Sequence, residues 1–306
     1  MSAEPVRYFH RAKKTVETEQ VYGEAWLRWT YGNPLGRLGL HLLVKRALLS
    51  RVYGWRMNRR FSAQQVLPFI SRYNVDVDEF AKRPFAFKTF NDFFYRALKP
   101  GARPIAPGED VAVLPADGRH LTFQNVAAAD GFYAKRQKFD LVSFFGEAHL
   151  PEAQRVLSAR FDRGALLISR LCPVDYHRFH FPVAGTPAQP LPLNGFLYSV
   201  SPIALRRNLN YLWENRRMVT LVDSPRFGSV AVCEIGATMV GSILQTFAPG
   251  RTVAKGDEKG LFRFGGSCVV TVFEPGRIRF DADLLEHSAQ QIEVYAKMGE
   301  RLGVAG

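Results

Sequence analysis

The chain has 306 residues, 47% of them hydrophobic, and a formal net charge of +13. That length suits one large or two modest domains with a sizeable core, and the charge favours an anionic partner, either nucleic acid or a membrane surface. No run approaches the roughly 18 uninterrupted apolar residues of a spanning helix, Met1 to Gln20 has no apolar signal core, and Cys172, Cys233 and Cys268 are too scattered for a disulfide framework or a metal knuckle.

Between Ala25 and Tyr73 there is no Asp or Glu, while Arg28, Arg37, Lys45, Arg46, Arg51, Arg56, Arg59, Arg60 and Arg72 all fall there. Asn33-Pro34 predicts a helix start, with leucines at helical spacing through Val52. Trp26, Trp29, Tyr31, Tyr53 and Trp55 flank it. Basic residues, leucines and interfacial aromatics fit a helix lying in a membrane surface; the other reading is a helix packed on the protein's own core with its arginines outward. Phe61–Tyr73 reads as a second helix capped by Ser62, and Asp76–Phe80 as a further turn. Thr89–Leu98 presents an apolar face of Phe90, Phe93, Phe94 and Leu98. Lys99-Pro-Gly-Ala-Arg-Pro104 then breaks the chain.

The expected organisation is therefore α+β. Residues 1–95 are expected to form a helical, basic, membrane-associating region, and residues 96–306 a mainly antiparallel β domain. The strands expected beyond the break are Ala112–Leu114, Ala165–Leu171, Gly195–Val200, Met218–Val222, Ser229–Ile235, Met239–Leu244, Cys268–Phe273 and Arg277–Phe280. Asp283–Leu302 reads as a final helix.

Phe262-Arg-Phe-Gly-Gly-Ser267-Cys-Val-Val-Thr-Val-Phe273 carries the first chemical signal. Two glycines permit backbone angles that other residues resist, so the Ser267 hydroxyl can approach the carbonyl of Gly266 and attack it in an N→O acyl shift. Alone, the segment reads as a turn or bulge entering a strand. Asp117-Gly118 alone is a turn. His177 and His180 alone are a metal pair lacking further ligands, or two structural histidines.

Read together, Phe90–Ile105, Leu114-Pro-Ala-Asp-Gly118, Asp175-Tyr-His-Arg-Phe-His-Phe-Pro182, Glu234–Ser242 and Lys255–Cys268 resemble, in order and spacing, the phosphatidylserine decarboxylase family. The resemblance implies a self-processing proenzyme cut between Gly266 and Ser267 into chains 1–266 and 267–306, with Ser267 becoming a covalent pyruvoyl group. It implies Asp117 and His180 as relay partners of Ser267, in the manner of a serine triad, and His177 as the proton donor in decarboxylation. It further implies phosphatidylserine as substrate, bound through a Schiff base, and phosphatidylethanolamine as product. It implies no metal. A peripheral position on the cytoplasmic face of an anionic membrane follows, and a homodimer is compatible with it. Cys268 stands where the family usually has Thr. The competing readings are a relative acting on another amine head group and a basic nucleic-acid-binding protein, for which no zinc finger, Gly-x-x-Gly loop or aromatic RNA-binding signature is present.

Overall fold

The structure, a computed structural model, describes residues 5–40, 47–129, 133, 137–238, 243–263 and 267–306. The chain opens not on helix but on a hairpin of β1 (Arg7–His10) and β2 (Thr15–Thr18). Helices follow: α1 (Glu24–Gly32), α2 (Pro34–Gly39), α3 (Ala47–Met57), α4 (Val66–Tyr73) and α5 (Phe90–Phe94). Asn33 caps α2 as its sequence predicts, its side chain accepting from Leu35 N at 2.9 Å with Pro34 at the first helical position. The continuous helix expected from Pro34 to Val52 is α2 and the start of α3; residues 41–46, which include Lys45 and Arg46, lie outside the described residues.

Two local expectations fail for identifiable reasons. Ser62 does not cap a helix: its hydroxyl donates to the Met57 and Arg59 carbonyls and accepts from Phe90 N, so it ties α3 to α5. Asp76–Phe80 is a turn, because Phe80 is drawn into a β-bridge with Leu98. Thr89 does cap α5, and Phe90, Phe93 and Phe94 are buried with Met57, Val66 and Phe69 in a small aromatic core belonging to the helical layer.

From Val111 onward the protein is mostly antiparallel sheet. In chain order the strands are β3 (Val111–Val113), β4 (Gly118–Phe123), β5 (Ala165–Leu171), β6 (Arg178–His180), β7 (Thr186–Pro187) and β8 (Leu191–Leu193). Then come β9 (Arg217–Ser224), β10 (Gly228–Gly236), β11 (Ile243–Gln245), β12 (Glu258–Phe262) and β13 (Ser267–Phe273). The last three are β14 (Ile278–Phe280), β15 (Glu293–Ala296) and β16 (Arg301–Ala305). A ten-stranded sheet runs β2-β1-β15-β4-β5-β13-β10-β9-β7, with β8 also on β9; its one parallel pair is β1 with β15. Two three-stranded sheets, β11-β12-β6 and β14-β16-β3, accompany it.

Gly195–Val200 makes a single bridge, Phe196 to Asn215, instead of a strand. The C-terminal helix is shorter than expected, Ala282–Ala289. Beyond it Val294 and Ala296 enter the core at a spacing of two, which only a strand allows, and Gly299 at φ 86 turns the chain into β16.

Strand β13 is central. Because side chains alternate, Cys268, Val270 and Val272 enter one core with Leu27, Tyr31 and Leu40 of the helical layer. Val269 and Phe273 enter the other, with Phe179, Phe181 and Phe262 of the β11-β12-β6 sheet. Ser267 shares the face of Val269. Its side chain is therefore turned toward the layer that carries the histidines.

Candidate active site

Ser267 opens β13, in register with Leu171 of β5 on one side and Gly236 of β10 on the other. It is fully buried, and its hydroxyl oxygen has no hydrogen-bond partner among the described residues. Gly265 and Gly266 fall outside the described residues. Cys268 faces away from Ser267 into the opposite core, beside Cys233 and Val270. Burial there pushes its thiol pKa up.

The two imidazoles are held in the same way. His177 Nδ1 lies 2.9 Å from the Asp175 carbonyl and His180 Nδ1 2.9 Å from that of Gly256. A carbonyl only accepts, so Nδ1 carries the proton in both rings and Nε2 carries the lone pair. His177 packs flat on Phe94 of α5, ring centroids 3.8 Å apart, and its carbonyl accepts from Phe262 N. His180 Nε2 is 3.3 Å from the Tyr176 hydroxyl. Burial lowers the His180 pKa; the Gly256 hydrogen bond and the charges of Glu258 and Asp117 pull the other way.

Asp117 precedes β4, and His180 N donates to Pro115 O at 2.7 Å, which sets β6 beside that turn. The Asp117 carboxylate accepts from Arg103 Nε at 2.8 Å and Nη2 at 2.5 Å, and from Met298 N at 2.8 Å. Among the described residues no hydrogen bond directly joins Asp117, His180 and Ser267. Asp117 acts on His180 through its charge, and His180 Nε2 faces Tyr176.

Behind these groups lies a buried ionic network. Arg170 bridges Glu19 (2.6 Å) and Glu293 (2.5 Å), while Arg119 holds Asp175 at 2.5 Å. Cys172 N also donates to the Asp175 carboxylate. The network thereby fixes the backbone that orients His177. Burial alone would raise the Glu19 pKa, but Arg170 and Arg119 hold it at about 2. A carboxylate depressed in this way stabilises the fold above its unfolded pKa near 4.5, and that contribution is lost as pH falls toward 2. Glu19→Gln should flatten the acid limb of the pH–stability curve over that window, as followed by thermal unfolding.

None of this network was legible in the sequence. Arg103 does sit inside the Lys-Pro-Gly-Ala-Arg-Pro run, and its place there was the available signal. A cavity of about 460 Å³ opens where β5 ends, between sheet and helices, walled by Tyr22, Trp26, Tyr53, Arg72, Leu171 and Thr238; Ser267, Asp117, His177 and His180 are not among its walls. No group of His, Cys, Asp or Glu suited to a metal ion occurs among the described residues.

The described residues thus form an α+β protein with a buried serine at the head of a central strand and two oriented imidazoles in the smaller sheet layer. The sequence profile described as phosphatidylserine decarboxylase matches residues 90–304. A phosphatidylserine decarboxylase proenzyme of Chlamydia trachomatis (serovar D) is 43% identical over 303 residues, covering 99% of this chain and 98% of its own. Proteins of the same name from Fusobacterium nucleatum and Clostridium kluyveri are each 41% identical, over 304 and 299 residues; both alignments cover at least 98% of each chain. The chain belongs to the phosphatidylserine decarboxylase family.

Proposed function

We propose that the chain cleaves itself between Gly266 and Ser267, turns residue 267 into a pyruvoyl group, and with it decarboxylates phosphatidylserine to phosphatidylethanolamine. The observation that carries this reading is the Ser267 hydroxyl: buried, without a partner among the described residues, and on the same face of its strand as Val269, which packs with Phe179 and Phe262 of the smaller sheet. Such a position suits a group made in place from the serine itself. His180 Nε2, with Nδ1 pinned to Gly256, takes the hydroxyl proton once it leaves Tyr176, and the charge of Asp117 stabilises the imidazolium that forms.

Attack of Oγ on the Gly266 carbonyl carbon breaks the peptide C–N bond and leaves an ester with a free amine at residue 267. Elimination releases the Gly266 carboxylate and leaves dehydroalanine. Its tautomer takes up water and loses ammonia, giving the ketone. Once formed, the pyruvoyl group supplies an electrophilic carbonyl and an electron sink for the bond to carbon dioxide. His177, braced by Phe94 and the Asp175 carbonyl, then moves the proton at the substrate's α-carbon. Intact mass and a denaturing gel test the cleavage, and carbon dioxide release from phosphatidylserine vesicles tests turnover. One uncut chain that releases none sinks the reading.

Membrane attachment belongs to the same proposal. No helix among the described residues is long and apolar enough to cross a membrane. Leu27 and Tyr31 of α1 are buried in the protein, yet Trp29, Leu35, Leu38 and Trp55 are 51, 71, 56 and 57% exposed. Arg37, Arg56, Arg59 and Arg60 are exposed on the same helical segments. Apolar side chains and cations together suit peripheral docking on an anionic leaflet at the cytoplasmic face. Each such charge contributes about 1 kcal/mol. Changing these four arginines to Glu should therefore weaken co-sedimentation with phosphatidylserine vesicles by roughly a thousandfold or more. Unchanged binding would place the contact elsewhere.

A further inference from the structure

Two fully buried charges take no part in the site described above. Lys259 lies in β12, in the three-stranded sheet, and Glu234 lies in β10, in the ten-stranded sheet; both are 0% exposed. Lys259 Nζ is 2.8 Å from Glu234 Oε1 and donates to Thr220 Oγ1 and to Gln245 Oε1, each at 2.9 Å. Gln245 Nε2 in turn donates to Glu234 Oε2 at 2.6 Å. The ammonium thus makes two hydrogen bonds and one ion-pair contact, to β9, β11 and β10 respectively. The rings of Phe179, Phe181 and Phe247 surround the ammonium at 5.7, 5.9 and 5.1 Å.

The location of this pair is specific. Glu234 is two residues before Gly236, the register partner of Ser267, and so sits on the same face of the large sheet. Lys259 follows Glu258, the register partner of His180 in β6, and Phe179 and Phe181, the chain neighbours of His180, have their rings by the lysine's ammonium. One end of the ion pair is thus attached to the strand beside the serine and the other to the strand beside the histidine. A buried ion pair is a poor source of stability, since apolar side chains of similar volume do as well or better. What it supplies instead is direction: four charge-assisted hydrogen bonds and ion-pair contacts that hold only at one alignment of the two sheets.

We propose that Lys259 and Glu234, locked by Gln245 and Thr220, are a positioning pair for self-cleavage: they fix the histidine-bearing sheet on the serine-bearing sheet so that His180 can reach Ser267. This rests on the self-cleavage reading above. The informative variant is the double Lys259→Met/Glu234→Gln, which removes both charges and keeps the volume. Its stability is measured by thermal unfolding in a Ser267→Ala background, where every chain stays uncut. Its cleavage is followed by gel time course in the otherwise unaltered chain. The expected result is an unfolding temperature equal to or above that of the Ser267→Ala parent, together with cleavage slowed at least tenfold. A structural role alone would move both together.

A folded double variant that cleaves at the unaltered rate overturns the proposal. If the double variant does not fold, Thr220→Val replaces it. That change removes one of the lysine's hydrogen bonds, leaves the ion pair in place, and should slow cleavage several-fold without a matching loss of stability; an unaltered rate there overturns the proposal equally. The unaltered chain runs beside them. Should it never cleave, the self-cleavage reading itself falls, a result distinct from failure of the pair alone.

Discussion

Ser267→Ala is expected to purify as one uncut chain, to release no carbon dioxide from phosphatidylserine vesicles, and to unfold at the same temperature as the native proenzyme or higher. Loss of activity should be complete, because alanine offers no nucleophile for the Gly266 carbonyl and no oxygen from which to make a ketone. Preserved or raised stability follows from burial. The hydroxyl is inaccessible and has no partner among the described residues, and a buried polar group in that condition costs roughly 1–3 kcal/mol. Alanine keeps the β-carbon and the strand register with Leu171 and Gly236, and removes the oxygen. Most buried positions pair lost function with lost stability; here the two should move in opposite directions. Two chains from Ser267→Ala would place the scissile bond elsewhere, and the pyruvoyl assignment would go with it.

Topology constrains what cleavage can do. Residues 267–306 supply β13, which lies between β5 and β10, β15, which lies between β1 and β4, and β16, which lies between β14 and β3. Val269, Val270, Val272 and Phe273 are all fully buried. Burying each such side chain contributes about 1.5–3 kcal/mol, and Glu293 of the same segment is tied to Arg170. A cut at position 266 would therefore leave the C-terminal piece woven into the sheet, and on the self-cleavage proposed above folding comes before cutting, since Ser267 takes its buried place only once β13 has paired.

What the sequence conveyed, and what it did not, divides by distance along the chain. The strand at Cys268–Phe273, the Asn33 cap and the apolar face of Phe90, Phe93 and Phe94 were legible because each rests on neighbouring residues: β-branched runs, a capping side chain, a three-four spacing of phenylalanines. The parallel pairing of β1 with β15 joins opposite ends of the chain, and no local pattern announces it. Arg170 finds its two carboxylates 151 and 123 residues away, so an ordinary surface arginine and this buried one look alike in the sequence. The Asp283–Leu302 segment misled because its first turns are truly helical, while the switch from a spacing near four to a spacing of two occurs within a few residues. Asp117, His177, His180 and Ser267 were legible as a set of family motifs, but the chelation of Asp117 by Arg103 was not, since it is the fold that turns the Pro-Gly-rich run onto that carboxylate.

His180→Ala and His177→Ala should separate the two activities. Self-cleavage needs a base at the Ser267 oxygen, and losing a positioned general base costs typically 10²–10⁴ in rate; His180→Ala should therefore remain uncut over the time in which the native chain is fully processed. Burial lowers the His180 pKa below that of a free imidazole, so its lone pair stays available into more acid solution. Native cleavage should accordingly slow as pH falls, at a lower pH than the titration of a free imidazole would give, because protonation removes the lone pair. His177 has a different environment: it is stacked on Phe94 and hydrogen-bonded to the Asp175 carbonyl, whose own carboxylate is held by Arg119. If it serves the α-carbon of the substrate, His177→Ala should still yield residues 1–266 and 267–306 on a gel, carry a carbonyl at residue 267 detectable by borohydride labelling, and decarboxylate at least a hundredfold more slowly. The pair of readouts matters, since a variant that merely misfolded would lose cleavage and turnover together. Normal cleavage by His180→Ala with blocked cleavage by His177→Ala would reverse the two roles, and would mean that the Nε2 facing Tyr176 is not the one that reaches the serine.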